Sequence, residues 1–128
     1  MKRIFIALVT LCACSCSPKQ QTPAPTPETF QTWNRADVEG WRYEMVSEDA
    51  VQNYSFGAAG SVAATLGDKK SLMGPLLDWK IEDGKVLRIS GSEGRTFAAL
   101  RLLSIDAGMV RTWDEVDLVH KDFRRTKR

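Results

Sequence analysis

Beyond residue 16 the chain has no cysteine, because all three thiols sit at Cys12, Cys14 and Cys16. Whatever folds downstream cannot use a disulfide, and its stability must come from a packed core. Histidine is scarcer still, with His120 alone. A lone histidine near a basic terminus reads as a solvated or cross-strand residue rather than a general base. No nucleophile, base and orienter can be assembled around it, so the chain does not read as an enzyme. Long apolar runs are missing too. The stretch from Ile4 to Leu11, broken by Thr10, falls far short of the roughly 20 apolar residues that a membrane span needs. Nor is there an excess of one charge. With 18 basic and 16 acidic residues, the balance gives no reason to expect nucleic acid as a partner.

What is present begins at the amino terminus. Lys2-Arg3, the apolar run and the small residues and thiols of Cys12-Ala13-Cys14-Ser15-Cys16-Ser17 make a secretory signal peptide over residues 1–13. Leu11-Cys12-Ala13-Cys14 resembles the bacterial lipobox, in which a cysteine follows a leucine and small residues. The resemblance implies diacylation of Cys14, cleavage before it and acylation of the new amino terminus. Cys12 stands where that motif has a small aliphatic or hydroxyl residue. Cys16 is the alternative site, with Ala13 in place of the leucine. An ordinary secretory signal is the simpler rival. A metal site built on the three cysteines lacks a nearby residue to complete it. In Gram-negative lipoproteins an aspartate after the acylated cysteine retains the protein in the inner membrane. Ser15 follows Cys14 here, which implies an outer-membrane lipoprotein anchored in the cell envelope.

Residues 14–29 form a tether. Pro18, Pro23, Pro25 and Pro27, four of the five prolines, lie among Gln, Thr and Lys. Such a segment favours extended polyproline II, with a reach on the order of 40 Å. Cleavage before Cys14 removes Lys2 and Arg3, which leaves a formally neutral chain.

The domain is expected over residues 30–120, with 121–128 as a frayed basic tail. Every aromatic except Phe5 lies from Phe30 onward. Turn signals recur at Gly57-Ala58-Ala59-Gly60, Gly67-Asp68, Asp83-Gly84, Gly91 to Gly94 and Asp106-Ala107-Gly108. The short β-branched and aromatic segments between them predict an all-β fold, an antiparallel meander closing into a small barrel or half-barrel. Trp41-Arg42-Tyr43-Glu44-Met45 alternates without a fault, so Trp41, Tyr43 and Met45 share a face. From Leu77 to Ile89 a three-residue loop, Glu82-Asp83-Gly84, pairs Trp79 with Leu87 and Leu77 with Ile89, with Gly84 left-handed in a G1 bulge. Phe97 to Ile105 reads as a central strand, and Phe30, Trp33 and Ala36 as one face of a short helix. The acidic pairs Glu48-Asp49, Glu82-Asp83 and Asp114-Glu115 sit where turns are expected and read as turn chemistry. Gly67-Asp68-Lys69-Lys70-Ser71 lacks the spacing of a phosphate loop and reads as a polar hairpin loop.

Gly40-Trp41, Tyr54-Ser55-Phe56 before Gly60, and Leu77-x-Trp79-x-Ile81 leading into Leu87-x-Ile89 resemble the small lipocalin-like β-barrel domains of bacterial lipoproteins. The resemblance covers Gly40 to about His120. Two functions follow. In the first, Trp41, Tyr43, Phe56 and Trp79 line a site for a small apolar or amphipathic ligand, and Arg88 or Arg101 meets its polar head. In the second, the domain is a non-catalytic module with a filled core that docks on an envelope protein. No cofactor or metal is called for in either. The volume left between the aromatics discriminates them.

Overall fold

The computed structural model describes Pro25, Thr26, residues 29–91 and residues 93–128. The signal segment, Cys14, Cys16 and most of the tether lie outside the described residues. Among the described residues, nine strands follow a 3₁₀ turn at Arg35–Asp37: β1 (Trp41–Met45), β2 (Ala50–Phe56), β3 (Ser61–Asp68), β4 (Leu72–Met73), β5 (Leu76–Glu82), β6 (Val86–Ser90), β7 (Thr96–Ile105), β8 (Met109–Asp114) and β9 (Val119–Lys127). They form one sheet in the order β2-β1-β9-β8-β7-β6-β5-β3-β4, and β2 also pairs with β3, which closes it. β4 and β5 keep the same register against β3. They are one strand interrupted at Gly74-Pro75, so the barrel has eight walls. The fold is thus an all-β, antiparallel closed barrel of eight strands, compatible with a lipocalin-like domain.

Alternation sets the interior. Tyr43, Tyr54, Phe56, Val62, Leu77, Trp79, Leu87, Ile89, Leu100, Val110 and Phe123 are buried and belong to one core. Their outward neighbours, such as Arg42, Ser55, Lys80, Arg88 and Arg111, are exposed or half-buried. Burial of side chains of this size, each worth about 1.5–3 kcal/mol, replaces the missing disulfides.

Two expectations are corrected. The chain does not fray at Lys121. β9 pairs with β8 through Val119–Arg124 and with β1 through Phe123–Lys127. Without it the sheet could not close, and Phe123, at the centre of the core, would be lost. The β5–β6 hairpin is offset by two residues on its second strand. Trp79 pairs with Ile89 and Ile81 with Leu87. Asp83 and Gly84 both have positive φ, 54° and 70°, and Lys85 N–H donates to Glu82 O at 2.9 Å. Two left-handed residues in succession are the mark of a primed turn rather than of a type I turn with a G1 bulge. The face is unchanged: Leu77, Trp79, Leu87 and Ile89 all point inward.

One end of the barrel is closed by the segment before β1. Phe30 and Trp33 do not share a helix face with Ala36: the chain is extended at Gln31 and Trp33, whose N–H groups donate to Leu102 O and Gly84 O, and only then enters the 3₁₀ turn, with Trp33 and Val38 buried. The opposite end carries the β1–β2, β3–β4, β6–β7 and β8–β9 loops and is open.

Candidate functional site

Three of the six residues expected to line a ligand site come together. Tyr43 and Phe56 meet edge to face at 4.9 Å between ring centroids, and Phe56 meets Trp79 at 5.8 Å. Tyr54 and Phe123 complete the cluster, each within 6.1 Å of a neighbouring ring. Each polar handle is satisfied, as buried Tyr and Trp require. Tyr43 Oη donates to Asp37 O at 2.6 Å, Trp79 Nε1 donates to Gly57 O at 2.9 Å, and Trp33 Nε1 donates to Leu100 O at 2.8 Å. Burial pushes the phenols of Tyr43 and Tyr54 well above the ordinary value of 10.

The other three lie elsewhere. Trp41 is half-buried at the closed end. Its Nε1 donates to Ala36 O, and the Arg125 guanidinium and Lys127 ammonium lie 4.0 and 4.7 Å from its ring centroid. Arg125 also donates to Asp37 O, so the ring, the cation and the 3₁₀ turn are clamped together. Arg88 faces outward, with its Nε 2.7 Å from Glu82 Oε1 and its Nη1 donating to Thr96 Oγ1. That contact holds the Glu82 carboxyl below its usual range. It faces an open groove of about 390 Å³ on the outer wall, lined also by Asp78, Lys80 and Ser90. Arg101 faces outward too, over the Phe30 ring at 4.2 Å and 3.5 Å from Glu115.

The interior is filled. At its open mouth a cavity of about 120 Å³ remains, lined by Gln52, Tyr54, Leu66 and, from the opposite wall, Phe97. Ligand pockets occupy about 300–1,000 Å³, so this opening accommodates a few atoms rather than an amphipathic molecule.

Below the mouth lies a constellation of which the sequence singled out only Asp114, as turn chemistry. Lys121 Nζ sits 2.6 Å from Asp114 Oδ2, 2.6 Å from Asp117 Oδ2 and 3.1 Å from Gln52 Oε1. Asp114 has no exposed side-chain surface and Lys121 only 5%. The second Asp114 oxygen accepts from the Ala99 and Val116 N–H groups. All three ammonium protons and both carboxylate oxygens thus have partners, the condition under which a buried ion pair is tolerated. A turn role for Asp114 holds as well, through Val116. A signal did exist: Asp114, Asp117 and Lys121 flank a hairpin and Lys121 alternates with Phe123, but this shows only once β9 is recognised as a strand.

His120 stands opposite Trp113 across β8–β9 and packs edge to face on it at 5.0 Å, the cross-strand role. Asp68 Oδ1 accepts from Lys70 and Ser71 N–H, which makes the Lys69-Lys70 loop an Asx-type turn rather than a phosphate cradle.

The apolar surface is unevenly placed. Val46, Leu72, Met73, Leu76, Val116, Leu118 and Val119 are the exposed large aliphatics among the described residues; all but Leu76, which stands on the β5 wall opposite Ala63, lie at or next to the open-end loops. They belong to three successive connections around the rim, β8–β9, β1–β2 and β3–β4–β5. Comparison of the chain with protein-family models, with curated proteins and with solved structures gives no match.

Proposed function

We propose that the chain is a lipid-anchored, outer-membrane protein of the bacterial cell envelope, acylated on Cys14, whose barrel is a non-catalytic docking module for another envelope protein. The observation that carries this reading is the filled interior beside the apolar rim. The aromatics pack on one another, and the free apolar area lies outside, at one end. Exposed apolar side chains gathered toward one end make that end the candidate interaction site. The small-ligand alternative needs a cavity larger than the 120 Å³ at the mouth.

Two measurements test it. A photocrosslinking residue at Val116, on the rim, should join the full chain to one protein of defined mass in its own envelope, while one at Arg35, at the closed end, should not. Equal labelling from both positions, or none from either, sinks the docking reading. Titration with a long-chain fatty acid should leave tryptophan fluorescence unchanged, and a saturable change would restore the ligand reading. The anchor is checked separately, by acyl labelling of Cys14→Ala and Cys16→Ala. Loss of label in the first places the lipid on Cys14, and loss in the second places it on Cys16.

A further inference from the structure

The cluster around Lys121 holds more than an ion pair requires. Its Nζ, once it has given up a proton, is a nucleophile, and it stands 2.6 Å from Asp114 Oδ2. The carboxyl carbon is one bond further on, so it lies within about 4 Å of Nζ, close to the roughly 3–3.5 Å of a near-attack arrangement. Both side chains are buried, and the β8–β9 ladder that pairs Thr112 with Lys121 and Asp114 with Val119 fixes their backbones.

The surroundings match what acyl transfer needs. Asp114 Oδ1 accepts from the Ala99 N–H at 3.1 Å and from the Val116 N–H at 2.9 Å. Two fixed amides on one carboxyl oxygen stabilise a tetrahedral oxyanion. Asp117 Oδ2 lies 2.6 Å from the same Nζ, within reach for proton transfer. Gln52 Oε1 holds Nζ from a third side at 3.1 Å, and Gln52 also lines the cavity of about 120 Å³ at the mouth, a way out for a water molecule. The two carboxylates on Nζ are not equivalent. Asp114 is buried with both oxygens held, whereas Asp117 is half-exposed and its second oxygen accepts no hydrogen bond among the described residues. The Lys80–Glu82 pair on the outer wall is a contrast, exposed at the lysine and 3.3 Å apart.

We propose that Lys121 and Asp114 condense into an amide, a covalent cross-link that the folded chain makes on itself, with Asp117 as the proton carrier. One ammonium proton passes to Asp114 Oδ2, which leaves a neutral amine and a neutral acid. The Nζ electron pair then bonds to Cγ, and Oδ1 takes the negative charge beneath the Ala99 and Val116 amides. Asp117 accepts the proton that the nitrogen now sheds and returns it to Oδ2. The Cγ–Oδ2 bond breaks and one water leaves. Nothing is oxidised or reduced, and the three side chains begin and end with one net negative charge. The bond ties together the two ends of the β8–β9 loop, where Leu118 has φ of 58°, a left-handed conformation that leucine resists. In a domain without cysteine it supplies the staple that a disulfide would.

The test is mass spectrometry of the folded full chain after denaturation and trypsin digestion. The peptide from Thr112 to Arg124 should stay uncut at Lys121 and weigh one water less than its sequence. In denaturant an amine-reactive reagent should label every lysine except Lys121. Asp117→Asn should restore cleavage, labelling and the full mass while near-ultraviolet circular dichroism stays that of the parent. Lys121→Arg, with no amine to acylate, should also show the full mass. Cleavage and labelling at Lys121 in the parent chain overturn the proposal, and that measurement stands whether or not a variant folds. A missing water that hydroxylamine restores overturns it too, because the product is then a backbone succinimide. So does an unchanged cross-link in Asp117→Asn, or fragmentation that places the bond on Asp117 itself.

Discussion

Lys121 is the residue whose setting departs furthest from what its type suggests. It lies inside a barrel, with 5% of its side chain exposed, in a stretch where Arg124, Lys127 and Arg128 are exposed. Removing one partner of a buried, bonded pair leaves the other desolvated and uncompensated, which costs about 3–5 kcal/mol. Lys121→Met should therefore lower stability by about that amount in urea unfolding, because Asp114 stays buried. Asp117→Asn should lower it by less than about 1 kcal/mol, since Asp117 is 51% exposed and Lys121 keeps Asp114 and Gln52. Equal effects from the two variants would mean that the pair is not the structural centre of the mouth. Lys121 was illegible in the sequence for a plain reason. In Lys121-Asp122-Phe123-Arg124-Arg125 the inward positions are Lys, Phe and Arg, so hydrophobic alternation has a single tooth. The polar interior positions are satisfied by partners far away in the chain, Gln52 for Lys121 and Asp37 for Arg125.

Elements with apolar alternation could be read directly. Trp41–Met45 is a strand with the expected face toward the core: Tyr43 is buried, and Trp41 and Met45 pack against the core partly buried. The β5–β6 hairpin kept its faces but not its register. Two registers that differ by two residues present the same side chains to the core, so pattern alone cannot separate them. The turn conformation decides, and it is testable. Gly84 has φ of 70°, and a Cβ there would sit 3.1 Å from the Thr32 methyl group. Gly84→Val should destabilise the domain by about 1–2 kcal/mol. Gly84→Asn should destabilise it by less, since Asn tolerates this region. Thermal melts that rank Asn no better than Val would remove the turn as the cause. β9 gives the other test at this scale. A chain ending at Lys121 loses Phe123 and the whole β1–β9 ladder from Trp41 to Met45. It should lose near-ultraviolet circular dichroism and bind a hydrophobic dye, because an open sheet exposes both its core and two long edges. A chain that stays cooperative without residues 122–128 would show that closure is dispensable.

At the scale of the whole molecule, both tyrosines of the chain are locked into one core, and this couples the fold to alkaline pH. Tyr43 and Tyr54 have raised values, first because burial penalises the phenolate. For Tyr54 the nearby Asp114 and Asp117 carboxylates add to it, and for Tyr43 Asp37 adds while Arg125 opposes. The folded state therefore keeps both protons at a pH where the unfolded chain has released them. Between the unfolded value near 10 and the higher folded value, the unfolded state binds fewer protons, so stability falls as pH rises. Below pH 10 this contribution is fully present and flat. Each unit by which a folded value exceeds the unfolded one amounts to 1.36 kcal/mol, and two such groups act together on one cooperative core. The expected result is that the ultraviolet absorbance of ionised tyrosine does not appear in the ordinary range. It should rise instead in a single step that coincides with loss of near-ultraviolet circular dichroism, and Tyr54→Phe should move that step to higher pH. A free titration of either tyrosine near pH 10 with the fold intact would mean that water reaches the aromatic cluster. The filled interior, on which the proposed docking rests, would then be wrong.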